Sequence, residues 1–188
     1  GYENINQAVV TKVLLALAFS PLLGFTSAFL VMLILWWTFR NSVIKNVNSI
    51  FAKLQILSAA FLAYSHGKND AQNAVGILAL GWAVYASQDV TVYPWMQVSS
   101  GLAIALGISV GGWHVIHTLG TKVTRLSPVS GFAANMAAAT VIEIASNIGL
   151  PVSTTHTASS AIMGVGVTRG LHAVSWSVVQ GILWAWLI

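Results

Sequence analysis

The sequence contains no cysteine and very little charge. Its 188 residues include eight Lys or Arg and four Asp or Glu, so only 6% of the chain is charged, against about 25% in an ordinary soluble domain. The absence of cysteine excludes disulfide bonds and thiolate metal sites. Because so few charges cannot cover a soluble fold, the 56% hydrophobic composition indicates an integral membrane protein.

The sequence also lacks the signs of a complete chain and of a nucleic-acid-binding protein. There is no initiator Met, and the end, GILWAWLI, stops inside an apolar run, so we expect a fragment of a longer protein. The formal net charge is +4, but the basic residues are sparse and lie at the ends of apolar runs. They are better explained as topology signals than as contacts to nucleic acid.

The apolar runs predict an all-α, polytopic membrane fold that forms a single domain over residues 1–188. A bilayer core of about 30 Å requires about 20 helical residues, which 22–39 and 95–120 provide, and a final span begins near His172. Residues 9–19 are shorter and meet Pro21, which is expected to kink or break the helix. The polar connection 40–53 is predicted to be a cytoplasmic loop.

Residues 54–86 are too long for one upright span, because they would form a helix of about 50 Å. Their middle carries the polar stretch SHGKNDAQNAVG, and each flanking apolar half is about half a membrane thick. This arrangement predicts a discontinuous helix with its break at 65–76.

Residues 127–168 predict a re-entrant helical hairpin. Two apolar segments, each too short to span, flank the polar sequence SNIGLPVSTTH, and such a turn is tolerated at membrane depth only inside protein or a wet cavity. If the hairpin enters and leaves on one side, six cations share one face and Asp89 lies on the other, as the positive-inside rule expects. The six are Arg40, Lys45, Lys53, Lys122, Arg125 and Arg169.

Asp70 is the strongest candidate functional residue, because burying an ionisable group at membrane depth costs free energy unless the group faces a cavity or a partner. A purely structural pair with Lys68 or His66 is the alternative. The stretch also holds Asn69, Gln72 and Asn73, more polar groups than a pair requires. Asp70 and Asn73 are three apart and can share a helix face, where their oxygens would suit sodium; Asp70 can alternatively carry a proton.

The sequence PVSTTH supplies the second candidate site. Ser153, Thr154 and Thr155 precede an apolar run, so one can cap a short helix, and its N-terminus with further hydroxyls would bind an anion. His156 is a candidate anion ligand or proton relay, and Glu143 a candidate cavity residue. Together, a cation site and an anion site near the midplane make a symport site.

The chain resembles the C-terminal half of the inorganic phosphate transporter (PiT) family, low-affinity bacterial type. LSAAFLAYSHGKNDAQNAVGI resembles the family's Asn-Asp signature, and GLPVSTTHTASSAIMGVG its hydroxyl-rich hairpin. The family has two inverted repeats, each with one copy of both motifs, and this chain holds one copy of each. The chain departs from the family pattern in three places. His114 and His117 occupy positions where the family commonly has Arg and Lys, Asn135 one where it often has Glu, and Lys68 one where Ala is common.

The resemblance implies symport of inorganic phosphate with sodium or protons across the bacterial inner membrane, by alternating access and without a cofactor. Asn69, Asp70 and Asn73 would then coordinate the cation, and Ser153, Thr154 and Thr155 would hold phosphate. The partners implied are phosphate, the lipid bilayer, a missing N-terminal repeat and, as an open question, a second copy in a homo-oligomer.

Two alternatives remain open. Another tetrahedral oxyanion, especially sulfate, would suit the same hydroxyls and helix N-terminus. A different class of protein, an intramembrane metal-dependent enzyme, would use Asp70, His66 and His156, although no paired His and carboxylate motif is present.

Overall fold

The structure, a computed structural model, describes residues 6–187, without the side chains of His114 and Leu187. Its helices are α1 (Gln7–Phe39), α2 (Ile44–Ala86), α3 (Pro94–His117) with a π-helical turn (Thr118–Val123), α4 (Pro128–Asn147), α5 (Thr154–Val167), a 3₁₀ turn (Leu171–Ala173) and α6 (Trp176–Leu187). The helices α1 to α4 are long and apolar enough to cross a membrane. The predicted all-α, polytopic membrane fold is confirmed.

Of the kink or break expected at Pro21, the break does not occur, because α1 is one helix from Gln7 to Phe39. Proline lacks the N–H that would bond the carbonyl four residues earlier, which is that of Leu17. The hydroxyl of Ser20, itself fully buried, donates to this carbonyl at 3.0 Å. A neighbouring hydroxyl thus replaces the missing donor, as transmembrane helices commonly allow.

The helix α2 is also continuous, so the prediction of a discontinuous helix with a break at 65–76 is wrong. The 43 residues of α2 correspond to a length of about 65 Å, well beyond a bilayer core of about 30 Å. The polar side chains of its middle find partners on α4 and α5, so the backbone does not need to unwind. Only 40–43 separate α1 from α2, and the rest of the predicted loop 40–53 forms the first turns of α2.

The helices α4 and α5 pack on each other and occupy the segment predicted as a hairpin. Ser127 caps α4 in a capping box with Ser130, and α4 ends where Gly149 adopts a left-handed φ of 71°. At the opposite end of the hairpin from this turn, Arg169 donates to the hydroxyls of Ser127 at 3.2 Å and Ser130 at 2.9 Å. The start of α4 and the end of α5 therefore lie together. The re-entrant course of the hairpin in the membrane stays a prediction.

Small residues bring the hairpin close to α1. Alanines of α4 form one core cluster with Ala161 and Val165 of α5 and Ala28 of α1. A Cβ atom at Gly24 would collide with the carbonyl oxygen of Thr157, and one at Gly164 with that of Phe25. The backbones of α1 and α5 are thus in direct contact, the close packing that small residues permit between membrane helices. On the other side, α2 packs on α4 and on α3.

Candidate functional site

The side of α2 that faces the hairpin carries buried polar residues. Ser58, Ser65 and Asn69 are all buried, and their spacing of seven and four places them on one helical face. Asn135 of α4 donates to the Ser58 hydroxyl at 3.4 Å, a contact between two neutral groups. Polar groups therefore run along the α2–α4 interface and meet the hairpin turn at Asn69.

Asn69 holds the hairpin turn against α2. Its amide nitrogen donates to the carbonyl of Val152 at 3.1 Å, and its amide oxygen accepts from the hydroxyl of Ser146 at 3.1 Å. Asn69 is 4% exposed, so both bonds replace contacts to water and leave the amide satisfied. The geometry makes Asn69 a positioning residue that joins both sides of the turn to the polar stretch of α2.

Asp70 lies where α2 meets the start of α5. His66 Nε2 lies 3.0 Å from Asp70 Oδ2, and the other carboxylate oxygen accepts from Thr154 Oγ1 at 3.3 Å and from Asn69 Nδ2 at 3.3 Å. Thr154 Oγ1 also lies 3.2 Å from His66 Nε2. The Asp70 side chain is 37% exposed, so the carboxylate is partnered but still accessible to a small ion.

The three hydroxyls of the hairpin turn do not point the same way. Ser153 caps α5 by accepting from the backbone N–H of His156 at 3.3 Å, whereas Thr154 is buried against Asp70 and Thr155 is exposed. The ring of His156 packs on Trp186 of α6, with 4.1 Å between centroids. The turn thus offers a helix N-terminus, one hydroxyl held near the carboxylate and one free hydroxyl.

Lys68 pairs with Glu143, not with Asp70. Its ammonium donates to Glu143 Oε1 at 2.6 Å and to Asn147 Oδ1 at 2.8 Å. Residues two apart on a helix face different directions, so Lys68 reaches α4 while Asp70 reaches α5. Of the two pairing partners considered for Asp70, His66 is the one in contact with it. Lys68 belongs to a second polar group, with Glu143 and Asn147.

Gln72 and Asn73 are not brought to this site. Both side chains are exposed, and neither hydrogen-bonds another side chain within residues 6–187. The expectation that Asp70 and Asn73 share one cation site within this chain is therefore not met. The reason is their height along α2: Asn69 already meets Ser146 near the end of α4, and Gln72 and Asn73 lie about one turn further on, past the end of α4. Gln72 instead lines a cavity of about 440 Å³ together with Lys68 and Gln97.

Ser146, Asn147 and Trp186 were missed as site residues. Ser146 and Asn147 begin the polar sequence SNIGLPVSTTH. Their position in that sequence was a signal that could have identified them. Trp186 carried no such signal, because its contact with His156 depends on the path of α6. In the described part of the chain, no group of three or more His, Cys, Asp or Glu is placed to hold a metal ion.

The fold and the site define a class: a multi-pass helical membrane protein with a paired carboxylate facing a hydroxyl-rich helix N-terminus. Comparison with known proteins gives the family, because the sequence profile described as Phosphate transporter family matches residues 40–188. The chain therefore belongs to the Phosphate transporter family, a family of transporters rather than enzymes.

Several relatives support this assignment. The chain is 40% identical over its whole length to a probable low-affinity inorganic phosphate transporter of Rhizobium meliloti, and 37% identical to one of Bacillus subtilis. It spans only 57% of the length of each of these curated relatives. A solved structure named the sodium-dependent phosphate transporter is 34% identical, with a TM-score of 0.69, and the match covers 78% of this chain and 38% of that one.

Proposed function

We propose that this chain is the C-terminal repeat of a symporter that moves inorganic phosphate across the cytoplasmic membrane with sodium or protons by alternating access. The observation that carries the proposal is the hydrogen bond from Thr154 to Asp70. It joins the cation-type motif of α2 to the anion-type motif of the hairpin, although the two are far apart in sequence. In secondary transporters the substrate and coupling-ion sites lie together near the bilayer midplane, and this contact brings the two motifs together.

Phosphate would bind at the start of α5. The free N–H groups there and the positive end of the helix dipole favour an anion, and Ser153, Thr154 and Thr155 add hydroxyls. Thr155 is exposed, so it would reach phosphate from the side that the other repeat completes. His156, packed on Trp186, would border the same volume.

The driving cation would bind at Asp70. A sodium ion would take oxygens from Asp70 and Thr154, with the amide of Asn69 fixing the carboxylate in place. A proton would instead be shared between Asp70 and His66, whose atoms are 3.0 Å apart. Gln72 and Asn73 face out of the chain, and we propose that they meet the N-terminal repeat of the whole protein.

The position of the cations supports a cytoplasmic location for the open end of the hairpin. Arg40 and Arg169 line one cavity of about 300 Å³, and Lys122, Arg125 and Arg169 line another of about 400 Å³. Asp89 lies between α2 and α3, at the other end of α2 from Lys45. This grouping is what the positive-inside rule expects of a cytoplasmic face.

The experiment is uptake of labelled phosphate into proteoliposomes that contain the whole transporter. Uptake is measured with sodium varied at fixed pH, then with pH varied at fixed sodium, and we expect one of the two to set the rate. Excess unlabelled sulfate should leave uptake unchanged, whereas strong competition would favour the sulfate alternative. Residues 1–188 alone should not transport, and phosphate uptake by them would contradict the assignment as half of a site.

A further inference from the structure

Lys68 has two oxygen partners on α4. Its ammonium nitrogen lies 2.6 Å from Glu143 Oε1 and 2.8 Å from Asn147 Oδ1. The amide nitrogen of Asn147 in turn donates to Glu143 Oε1 at 3.3 Å, which orients the amide with its oxygen toward Lys68. Glu143 and Asn147 are one turn apart, so α4 presents a carboxylate and an amide oxygen to the same point.

Two further oxygens at this place are not used by the ammonium. Glu143 Oε2 and the hydroxyl of Ser65 are buried, and in the described part of the chain neither bonds a third group. Ser65 neighbours the Glu143 carboxyl and precedes Lys68 by nearly one turn of α2. A buried oxygen without a partner is destabilising, and the site holds two oxygens beyond those that the ammonium contacts.

These oxygen types suit a free cation as well as an ammonium group. Carboxylate, amide and hydroxyl oxygens are the ligands that hard cations prefer. Glu143 lies in a candidate membrane span, where a carboxylate without a neighbouring positive charge is costly. A positive charge at this point therefore stabilises the ionised carboxylate, and in this chain that charge is covalently attached to α2.

We propose that Lys68 is a tethered cation: its ammonium group fills an alkali-cation site formed by Glu143, Asn147 and Ser65. When the ammonium is removed, the site takes a free monovalent cation such as sodium or potassium. Only the consequence for transport rests on the proposed function. A charge fixed to α2 is not released with the substrate, so this site adds no ion to the coupling stoichiometry, which is left to Asp70.

The test measures the thermal unfolding midpoint of the whole transporter in detergent, in choline, sodium or potassium chloride at equal ionic strength and without phosphate. The response of the wild-type protein is the baseline, because it includes any binding at Asp70. We expect Lys68→Ala to unfold at a lower temperature in choline and to regain stability, with saturation, in sodium or potassium. Lys53→Ala, at an exposed position on the same helix, should respond like the wild type.

A second variant assigns the response to the proposed site. Lys68→Ala combined with Glu143→Gln removes both charges, so its midpoint should follow the wild-type response to salt. The proposal is overturned if Lys68→Ala responds no more than the wild type, or if its extra response survives Glu143→Gln. If Lys68→Ala cannot be purified in any of the three salts, Lys68→Gln replaces it, with the same two outcomes.

Failure of the proposed function would be seen separately. It would appear as absence of phosphate uptake by wild-type proteoliposomes, which does not affect the salt response of unfolding. Conversely, a wild-type protein that transports phosphate while Lys68→Ala shows no extra salt response would overturn the tethered cation alone.

Discussion

Thr154 Oγ1 lies 3.3 Å from Asp70 Oδ1, although the two residues are 84 positions apart. Thr154 stands in the first turn of α5 and Asp70 in the middle of α2. Because the Thr154 hydroxyl donates its proton to the carboxylate, the lone pairs of Thr154 Oγ1 can face a bound ion. The contact would therefore link the occupancy of the cation site proposed at Asp70 to the geometry of the hairpin turn.

Replacement of Asp70 by Asn should abolish ion-coupled phosphate uptake. The amide keeps the shape and can still bond Thr154, but it removes the charge that a sodium ion or a proton would neutralise. Uptake into proteoliposomes holding the whole transporter should fall to the level of empty liposomes. The control is Asp89→Asn, at an exposed position between α2 and α3; normal coupled uptake by Asp70→Asn would refute the site.

Loss of the hairpin hydroxyls should weaken phosphate binding. A hydrogen bond to a charged group contributes about 1.5–3 kcal/mol, so Ser153→Ala with Thr154→Ala should raise the KM for phosphate roughly tenfold or more. Thr168→Val, at the other end of α5, removes a hydroxyl that bonds only the Val165 carbonyl and should leave KM unchanged. Equal KM values in the double variant and the control would contradict the phosphate assignment.

Gly164→Ala should destabilise the protein through the contact between α1 and α5. The added methyl group would meet the backbone of Phe25, and overpacking of this kind costs about 1–3 kcal/mol. A lower unfolding midpoint in detergent is the expected result. Gly107→Ala, where a Cβ meets no atom of the chain within 4 Å, is the matched change, and a similar loss in both variants would show that close packing is not the cause.

Ser20→Ala should destabilise α1 more than a comparable change elsewhere. It leaves the Leu17 carbonyl without a donor next to Pro21, at a cost of about 1–3 kcal/mol. Ser109 makes the same type of bond to Leu106 at 2.7 Å, but no proline follows, so that carbonyl keeps its backbone donor after Ser109→Ala. The unfolding midpoint should fall in Ser20→Ala only, and equal midpoints would show that Ser20 does not compensate for the proline.

The sequence predicted where polar groups interrupt the apolar runs, because hydropathy and length are local properties. The break in α2 was predicted wrongly, and the break considered as one outcome at Pro21 does not occur, because each depends on a hydrogen-bonding partner that segment length does not reveal. Ser20 supplies the donor that Pro21 lacks, and α4 and α5 supply partners for the polar stretch of α2.

The choice of partner within the site was not predictable from spacing alone. Lys68 and Asp70 are close in sequence, yet the helix turns them toward different elements, so Lys68 contacts Glu143. Asn73 is exposed for a different reason, because it lies one turn beyond Asn69, past the end of α4. Which residues a helical face meets is decided by packing between helices, and a single sequence does not encode that in its periodicity.

Arg169 has a mechanical consequence for the hairpin. Its guanidinium donates to the Arg125 carbonyl and to the hydroxyls of Ser127 and Ser130, so it fastens the two legs where they are open. At the opposite end, Asn69 fastens the turn to α2. A hairpin held at both ends bends little, and because its turn is bonded to α2, we expect the hairpin and α2 to move together as one rigid unit, with any hinge outside them.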